Sequence, residues 1–310
     1  MTFSLTILGS NSALPTKDRF PTAHALNVHE RFFLIDCGEG TQLQMSKYGV
    51  RFSRLDHIFI SHLHGDHFFG LYGLLSTYSL LGRTRDMHIY GVKQLEYVLN
   101  DHLKYFGKEF SYKVVFHEVN PRSNDLIYED KSITVHTIPL NHRIPCCGYL
   151  FREKTPQRCI HKWLIEKYNI GVADIVRIKN GENYQTEDGE LIPNSKLAYQ
   201  PYEPRSYAFC SDTQYSEKVV EAVKGVDLLY HESTFAEDLK DMARQTGHST
   251  AKEAATVALK AAVKRLIIGH FSSRYKDLQP FIEQAQEVFP NTELAEDGRV
   301  FDIPLVKYSG

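Results

Sequence analysis

Residues 58–70 run Ile-Phe-Ile-Ser-His-Leu-His-Gly-Asp-His-Phe-Phe-Gly, and the cluster His62-x-His64-x-Asp66-His67 inside them constrains the fold more than any other feature. Imidazole nitrogen and carboxylate oxygen are the ligand types that suit Zn²⁺, Mn²⁺ or iron. The apolar run Ile58–Ile60 before the cluster reads as a buried strand. If the backbone leaves that strand extended, His62 and His64 project to one side, because side chains alternate with a period of two. Gly65 is then expected to let the backbone turn, carrying Asp66 and His67 toward a second metal position. One strand end would supply two neighbouring ions. The bland alternative is a chance His-rich loop in a chain with 15 His, and the ordered spacing after a strand argues against it.

Four ligands leave two metals under-coordinated, so others must arrive from distant parts of the chain. Ile133–Leu140 reads as a strand and is followed by Asn141-His142; Tyr207–Cys210 is followed by Ser211-Asp212-Thr213; Leu266–Gly269 is followed by His270. Each repeats one pattern, an apolar strand and then a ligand-type residue. Taken singly, each is as well read as a satisfied structural residue; together with the first cluster they form a set. An Asp between two metals can bridge them, the natural role for Asp212.

These residues resemble the metallo-β-lactamase superfamily. Within it the chain is similar to the ribonuclease Z (tRNA 3′-processing endonuclease) family, through Leu14-Pro15-Thr16-Lys17-Asp18-Arg19-Phe20, Gly38-Glu39-Gly40-Thr41-Gln42, His231-Glu232-Ser233-Thr234-Phe235 and Gly247-His248-Ser249-Thr250. The core motif alone would admit lactamases, glyoxalases, lipid hydrolases and nucleases; the last two segments narrow it to the phosphodiesterase branch. The resemblance implies an α/β fold, a four-layer αββα sandwich with metals at one edge. It implies two Zn²⁺ per subunit, with Mn²⁺ or another divalent ion as the alternative. One metal would take His62, His64 and His142, the other Asp66, His67 and His270, with Asp212 bridging. Asp66 would also accept the proton of the attacking water. His248 is the candidate general acid for the leaving ribose oxygen. It stands two residues before the cap of the helix opening at Ala251, a position expected to disfavour imidazolium. Glu232 is suited to hold that imidazole in one tautomer. The resemblance places the loop with Lys17 and Arg19 near the cleavage point, which makes them substrate-binding candidates, and Phe20 stands where many members have Asn.

The chain of 310 residues is expected to form a single domain over 1–310, with 152–205 inserted as an arm. Strand-like runs interleave with the helical spacing of 39–48, 69–81, 92–105, 215–224, 250–263 and 278–288, which implies layers with helices outside the sheets. Thr250-x-x-Glu253 predicts a capping box, and Asp297-Gly298 between short apolar runs predicts a terminal hairpin. The 152–205 segment contains Pro156, Pro193, Pro201 and Pro204; Ile160, Trp163, Leu164 and Tyr168 suggest a short helix and Glu187-Asp188-Gly189 a turn, with Trp163 expected in a core. In the resembled family the corresponding insertion grips the body of the tRNA. Ile170-Gly171-Val172-Ala173 stands where bacterial members often carry Gly-Pro.

A net charge of −2 excludes a global positive field, so any RNA partner must meet local charge. Lys17, Arg19, Arg51, Arg54, Arg83 and Arg85 are the candidates. Five cysteines without CxxC spacing argue against a disulfide framework, and Cys210 reads as a small buried hydrophobe. No apolar run approaches the ~18 residues of a membrane span, and the first residues lack a basic leader, which points by default to the cytoplasm.

The expected activity is that of a zinc-dependent endoribonuclease. It would remove the 3′ trailer from precursor tRNA as a homodimer, leaving a tRNA 3′-hydroxyl and a 5′-phosphorylated trailer. One alternative is another phosphodiesterase of this superfamily acting on small or cyclic phosphodiesters, for which the arm has no use. Another is a non-catalytic RNA-binding scaffold, against which the full ligand set argues.

Overall fold

Side-chain alternation along the strands decides the layering. Along Phe3–Gly9, Phe3, Leu5 and Ile7 enter one apolar cluster while Leu8 enters another. Along Leu228–Glu232, Leu228 and Tyr230 face the first cluster and Leu229 a third. Strands apolar on both faces must be covered on both, and the computed structural model, which describes residues 1–308, shows how.

One sheet runs in the order 300–302, 3–9, 23–28, 31–35, 55–59, 87–91, 114–118; the other runs 292–294, 266–269, 228–232, 206–210, 147–153, 133–139, 126–129. Between them lies an aromatic-rich core, including Phe33, Phe59, Tyr149, Phe151, Phe209 and Tyr230, all buried. The outer face of the first sheet is closed by Met45, Leu71, Leu74, Leu75, Leu95 and Leu99 from helices Thr41–Lys47, Gly70–Leu80 and Lys93–Phe106. The outer face of the second sheet is closed by Val219, Val220, Ala254, Ala258, Phe281 and Ala285 from Glu217–Ala222, Ala251–Lys260 and Gln279–Gln286. The result is the expected αββα sandwich. Among the described residues no helix is long and apolar enough to cross a membrane. All five cysteines are free, and burial pushes the Cys210 thiol far above its usual range.

Strands 31–35, 55–59 and 87–91 are parallel, as are 206–210, 228–232 and 266–269. Parallel strands send their carboxyl ends to one edge, where α/β folds place their sites. Thr250 caps its helix by accepting from the Glu253 amide while Glu253 accepts from the Thr250 amide, the predicted capping box.

Several expectations are corrected. Asp297-Gly298 does not close a hairpin: Thr292–Leu294 joins the second sheet and Val300–Asp302 the first, so the turn crosses between sheets. The Asp297 carboxylate accepts from Ser10 Oγ (2.7 Å), the Phe20 amide (2.8 Å) and Gln44 Nε2 (3.2 Å), which holds it there. The expected turn at Gly65 is present, made without a left-handed φ. It begins the short helix Gly65–Phe68, and a Cβ there would come within 2.3 Å of the exposed Phe69 ring, which would have to swing aside.

The 152–205 segment has its own small core of Ile160, Leu164, Ile170, Ile178, Tyr184, Ile192, Leu197 and Ala198. Its stems meet where Cys159–Ile160 pairs with Ala198–Tyr199. The expected helix is Lys162–Lys167, a second helix spans Val172–Lys179, and the turn at Gly189 closes a pairing of Tyr184–Gln185 with Leu191–Ile192. Trp163 is 59% exposed rather than in a core, because the inward side of its helix is taken by Leu164.

Most of the basic candidates are consumed internally. Arg83, with 5% of its side chain exposed, pairs with Asp56 at 2.6 Å, and Arg85 pairs with the same carboxylate at 2.9 Å. Arg51 faces Glu30 and Arg54 donates to the Glu30 carbonyl.

Candidate metal centre and active site

The sandwich edge gathers the predicted ligands. His62 and His64 follow strand Leu55–Phe59, with His64 extended at φ −81° and ψ 142° before the Gly65–Phe68 helix brings in Asp66 and His67. His142 follows Ile133–Pro139, Asp212 follows Ser206–Cys210, and His270 follows Leu266–Gly269. His270 and Asp36 hold left-handed φ values of 60° and 57°, conformations costing roughly 1–3 kcal/mol each that the surroundings must enforce.

Two donor sets result, and Asp212 contributes one oxygen to each. Around its Oδ2 stand His62 Nε2 at 3.4 Å, His142 Nε2 at 3.8 Å and His64 Nδ1 at 4.0 Å. Around its Oδ1 stand His270 Nε2 at 3.2 Å and His67 Nε2 at 3.4 Å. Asp66 Oδ2 lies 3.4 Å from His270 Nε2 and 3.5 Å from His67 Nε2, and those two nitrogens are 3.3 Å apart. Tetrahedral ligands at ~2.0–2.1 Å from Zn²⁺ lie about 3.3–3.4 Å from one another, so the second set matches a zinc cage closely, while the first is less regular, wide toward Asp212 but with His62 Nε2 and His64 Nδ1 only 3.0 Å apart. Charge agrees with geometry. Asp36, Asp212 and Glu232 are fully buried and Asp66 is nearly so, a concentration of negative charge that needs cations.

The outer ring nitrogens fix which nitrogen is left for a metal. His67 Nδ1 meets Asp36 Oδ2 at 2.7 Å, His142 Nδ1 meets the Gly247 carbonyl at 2.8 Å, and His270 Nδ1 meets Thr234 Oγ1 at 2.9 Å. His62 Nδ1 lies 2.9 Å from Ser61 Oγ, which donates to Asp36 Oδ2. Each acceptor holds a proton on Nδ1 and leaves the Nε2 lone pair facing the cluster. Burial alone would lower the pKa of His67, but Asp212, Asp66 and Asp36 together raise it well above the ordinary value. His62 lacks that surplus of carboxylates, and burial holds it at about 3.

Asp66 is held below the usual carboxylate range despite burial, by His67 and His270. Its Oδ2 also accepts from the Ala13 amide at 2.7 Å, while Oδ1 has no hydrogen-bond partner among the described residues. His248 Nδ1 lies 3.0 Å from Glu232 Oε1 and 3.9 Å from Asp212 Oδ2. Glu232 is otherwise saturated by the amides of Thr213, Thr234 and Ser249 and by Thr234 Oγ1. Burial would depress the pKa of His248, yet Glu232 and Asp212 raise it to about 9. The expectation that the nearby helix start would disfavour imidazolium is therefore overturned. A carboxylate in hydrogen-bond contact outweighs the partial charge of a helix end.

A cavity of about 490 Å³ opens over the cluster, lined among others by Ser12–Pro15, Glu39, Asp66, Phe69, Arg143, Asp212, His248 and His270. Lys17 and Arg19 do not line it. Lys17 is exposed farther along the loop, and Arg19 donates to the Tyr275 carbonyl at 2.8 Å, with burial lowering its pKa. Phe20 also faces elsewhere, its ring packed against Gly40. Sequence reasoning missed three residues here: Asp36 behind His67, Phe69 at the mouth with 59% exposure, and Arg143. The signals were present, an acidic residue ending strand Arg31–Ile35, an aromatic just after the motif, and a cation next to His142.

A family model described as Anti-Pycsar protein Apyc1 matches residues 3–156. A ribonuclease Z of Bacteroides fragilis (strain YCH46) is 51% identical over 95% of this chain and 97% of its own length. The crystal structure of human tRNase Z, short form, superposes with a TM-score of 0.71 at 28% identity, covering 97% of this chain and 99% of that one. The metallo-β-lactamase fold protein YhfI from Bacillus subtilis shares the fold at a TM-score of 0.69 and 18% identity, over 97% of this chain and all of its own (100%). With half its residues identical to those of a full-length relative, and the ligand-bearing strand ends in place, the chain belongs to the ribonuclease Z family.

Proposed function

We propose that the protein is a zinc-dependent endoribonuclease that removes the 3′ trailer from precursor tRNA, leaving a tRNA 3′-hydroxyl and a 5′-phosphorylated trailer. The observation that supports this most directly is the Asp212 carboxylate divided between two donor sets, beneath a cavity that also holds the His248–Glu232 pair. His62, His64, His142 and Asp212 Oδ2 would hold one Zn²⁺; Asp66, His67, His270 and Asp212 Oδ1 would hold the other. When bound, the two cations lower the pKa of a water and neutralise charge on the phosphoryl oxygens.

The remaining steps belong to the chain's own side chains. Asp66 Oδ1, unpartnered, takes the proton of the attacking water while Oδ2 stays with His67 and His270. Glu232 holds the His248 ring by Nδ1, which leaves Nε2 to protonate the departing ribose 3′-oxygen. A pKa of about 9 keeps that acid loaded at neutral pH, and two nearby cations would draw it down toward the working range. The 152–205 arm, with its separate core, grips the tRNA body at a distance from the cut. The enzyme acts as a cytoplasmic homodimer in which one subunit's arm presents RNA to its partner's cavity.

The purified chain, assayed on a precursor tRNA and on bis-p-nitrophenyl phosphate with and without chelator, tests this. A single metal-dependent cut leaving a 3′-hydroxyl is expected. Hydrolysis of the small diester alone would refute the RNA substrate, and cleavage of neither would refute catalysis. Metal analysis and gel filtration check the ion and the dimer.

A further inference from the structure

Arg143 is the basic side chain that lines the cavity, and it is exposed there. It makes no hydrogen bond or ion pair among the described residues, whereas the other arginines proposed for RNA contact are committed to Tyr275, Asp56 or Glu30. Its stem is nonetheless placed. Gly247, at φ +82°, leaves room that a Cβ would take, 3.2 Å from Arg143 Cγ and 3.0 Å from His142 Nδ1. The same glycine receives the His142 ring proton through its carbonyl. The guanidinium is thus tethered beside a donor of the first set, yet it makes no ion pair with Asp66, Asp212 or Glu232. An unpaired cation beside buried carboxylates that does not turn inward is directed to the mouth. A guanidinium in that place suits a phosphate by a planar, two-bond contact.

We propose that Arg143 binds a non-bridging oxygen pair of the RNA phosphate next to the scissile one, and so makes the cavity select a polynucleotide over an isolated diester. This rests on the RNA-cleaving reading above and adds a residue to it. A phosphate contact has a salt signature, since each one released from a single strand changes the slope of log(kcat/KM) against log[salt] by about 0.7. Arg143→Gln should lower kcat/KM on precursor tRNA by roughly tenfold or more. It should reduce the ratio of that efficiency to the efficiency on bis-p-nitrophenyl phosphate by a similar factor, and make the salt slope shallower by about 0.7. Arg143→Lys, which keeps charge and loses the fork, should retain the slope and recover part of the efficiency. An unchanged slope in Arg143→Gln overturns the proposal, and so does an equal loss on both substrates, which would place the effect on the metal cluster. If the parent enzyme fails to cut precursor tRNA, the RNA-cleaving reading falls and this inference falls with it. Metal content and circular dichroism of each variant show that the fold is kept.

Discussion

Asp36→Asn probes how the second donor set is held. Asp36 is fully buried; its Oδ1 accepts from the Ser61 amide at 2.7 Å, and its Oδ2 accepts from Ser61 Oγ at 2.8 Å and His67 Nδ1 at 2.7 Å. An asparagine can satisfy the Ser61 amide only with its oxygen, which turns its NH₂ toward His67 Nδ1. That nitrogen must then accept, so the proton moves to Nε2, the atom facing Asp66 and Asp212. The opposite flip places two donors against each other at Ser61. Either way one charge-assisted hydrogen bond is lost, worth about 1.5–3 kcal/mol. At about 1.4 kcal/mol per decade this weakens one of the two metal sites by about 10- to 100-fold, the range seen when a ligand's supporting carboxylate is removed. Competition with a chromophoric chelator should resolve two unequal sites, the one holding His67 weakened more than the one reached only through Ser61 Oγ and His62. If both affinities stay within about twofold of the parent while the variant remains folded, Asp36 does not set the His67 tautomer and the assignment of Nε2 as donor fails.

His248→Ala should cut turnover by roughly 10²- to 10⁴-fold with metal content unchanged; loss of metal would make His248 a ligand instead. The arm can be excised between its paired stems by replacing residues 161–197 with a two-residue turn. Cleavage of precursor tRNA should then fall far more than hydrolysis of bis-p-nitrophenyl phosphate, and parallel losses would deny the arm a role in binding. Glu153 is pulled below its ordinary pKa because bonds from Arg205 and His29 overcome burial. A depressed carboxylate contributes stability above its unfolded pKa and loses it as pH falls through the folded value, so this contribution fades below pH ~4.5. Glu153→Gln should therefore destabilise by about 3 kcal/mol or more near neutrality in urea unfolding, with the gap closing in acid; a pH-independent gap would exclude the ion pair.

The layered fold and the ligand set were legible because both follow from local pattern. Phe3, Leu5 and Ile7 alternate with Thr6, and His62, His64, His142, Asp212 and His270 each come just after an apolar run. What was not legible depends on partners far away in sequence. Asp297 reads as a turn residue until Ser10, Phe20 and Gln44 converge on it, and Arg83 reads as a free cation until Asp56 is seen 2.6 Å away. The edge strand Leu126–Glu129 escaped notice because its four residues, three of them apolar in a row, are too few to show alternation. Trp163 was expected inside by composition, but a six-residue helix has one inward side and Leu164 occupies it.

The crossing turn at Asp297 ties the loop at residues 10–20 to a carboxylate 287 residues beyond Ser10. Ser10 and Phe20, which bracket the loop whose Ala13 amide reaches Asp66, are both clamped by that one carboxylate. During synthesis the loop therefore stays unfastened until residue 297 has left the ribosome, so a nascent chain shorter than that should remain inert. A chain halted at residue 290 should show rapid proteolysis between residues 10 and 20, and protection there would show that the loop does not depend on Asp297.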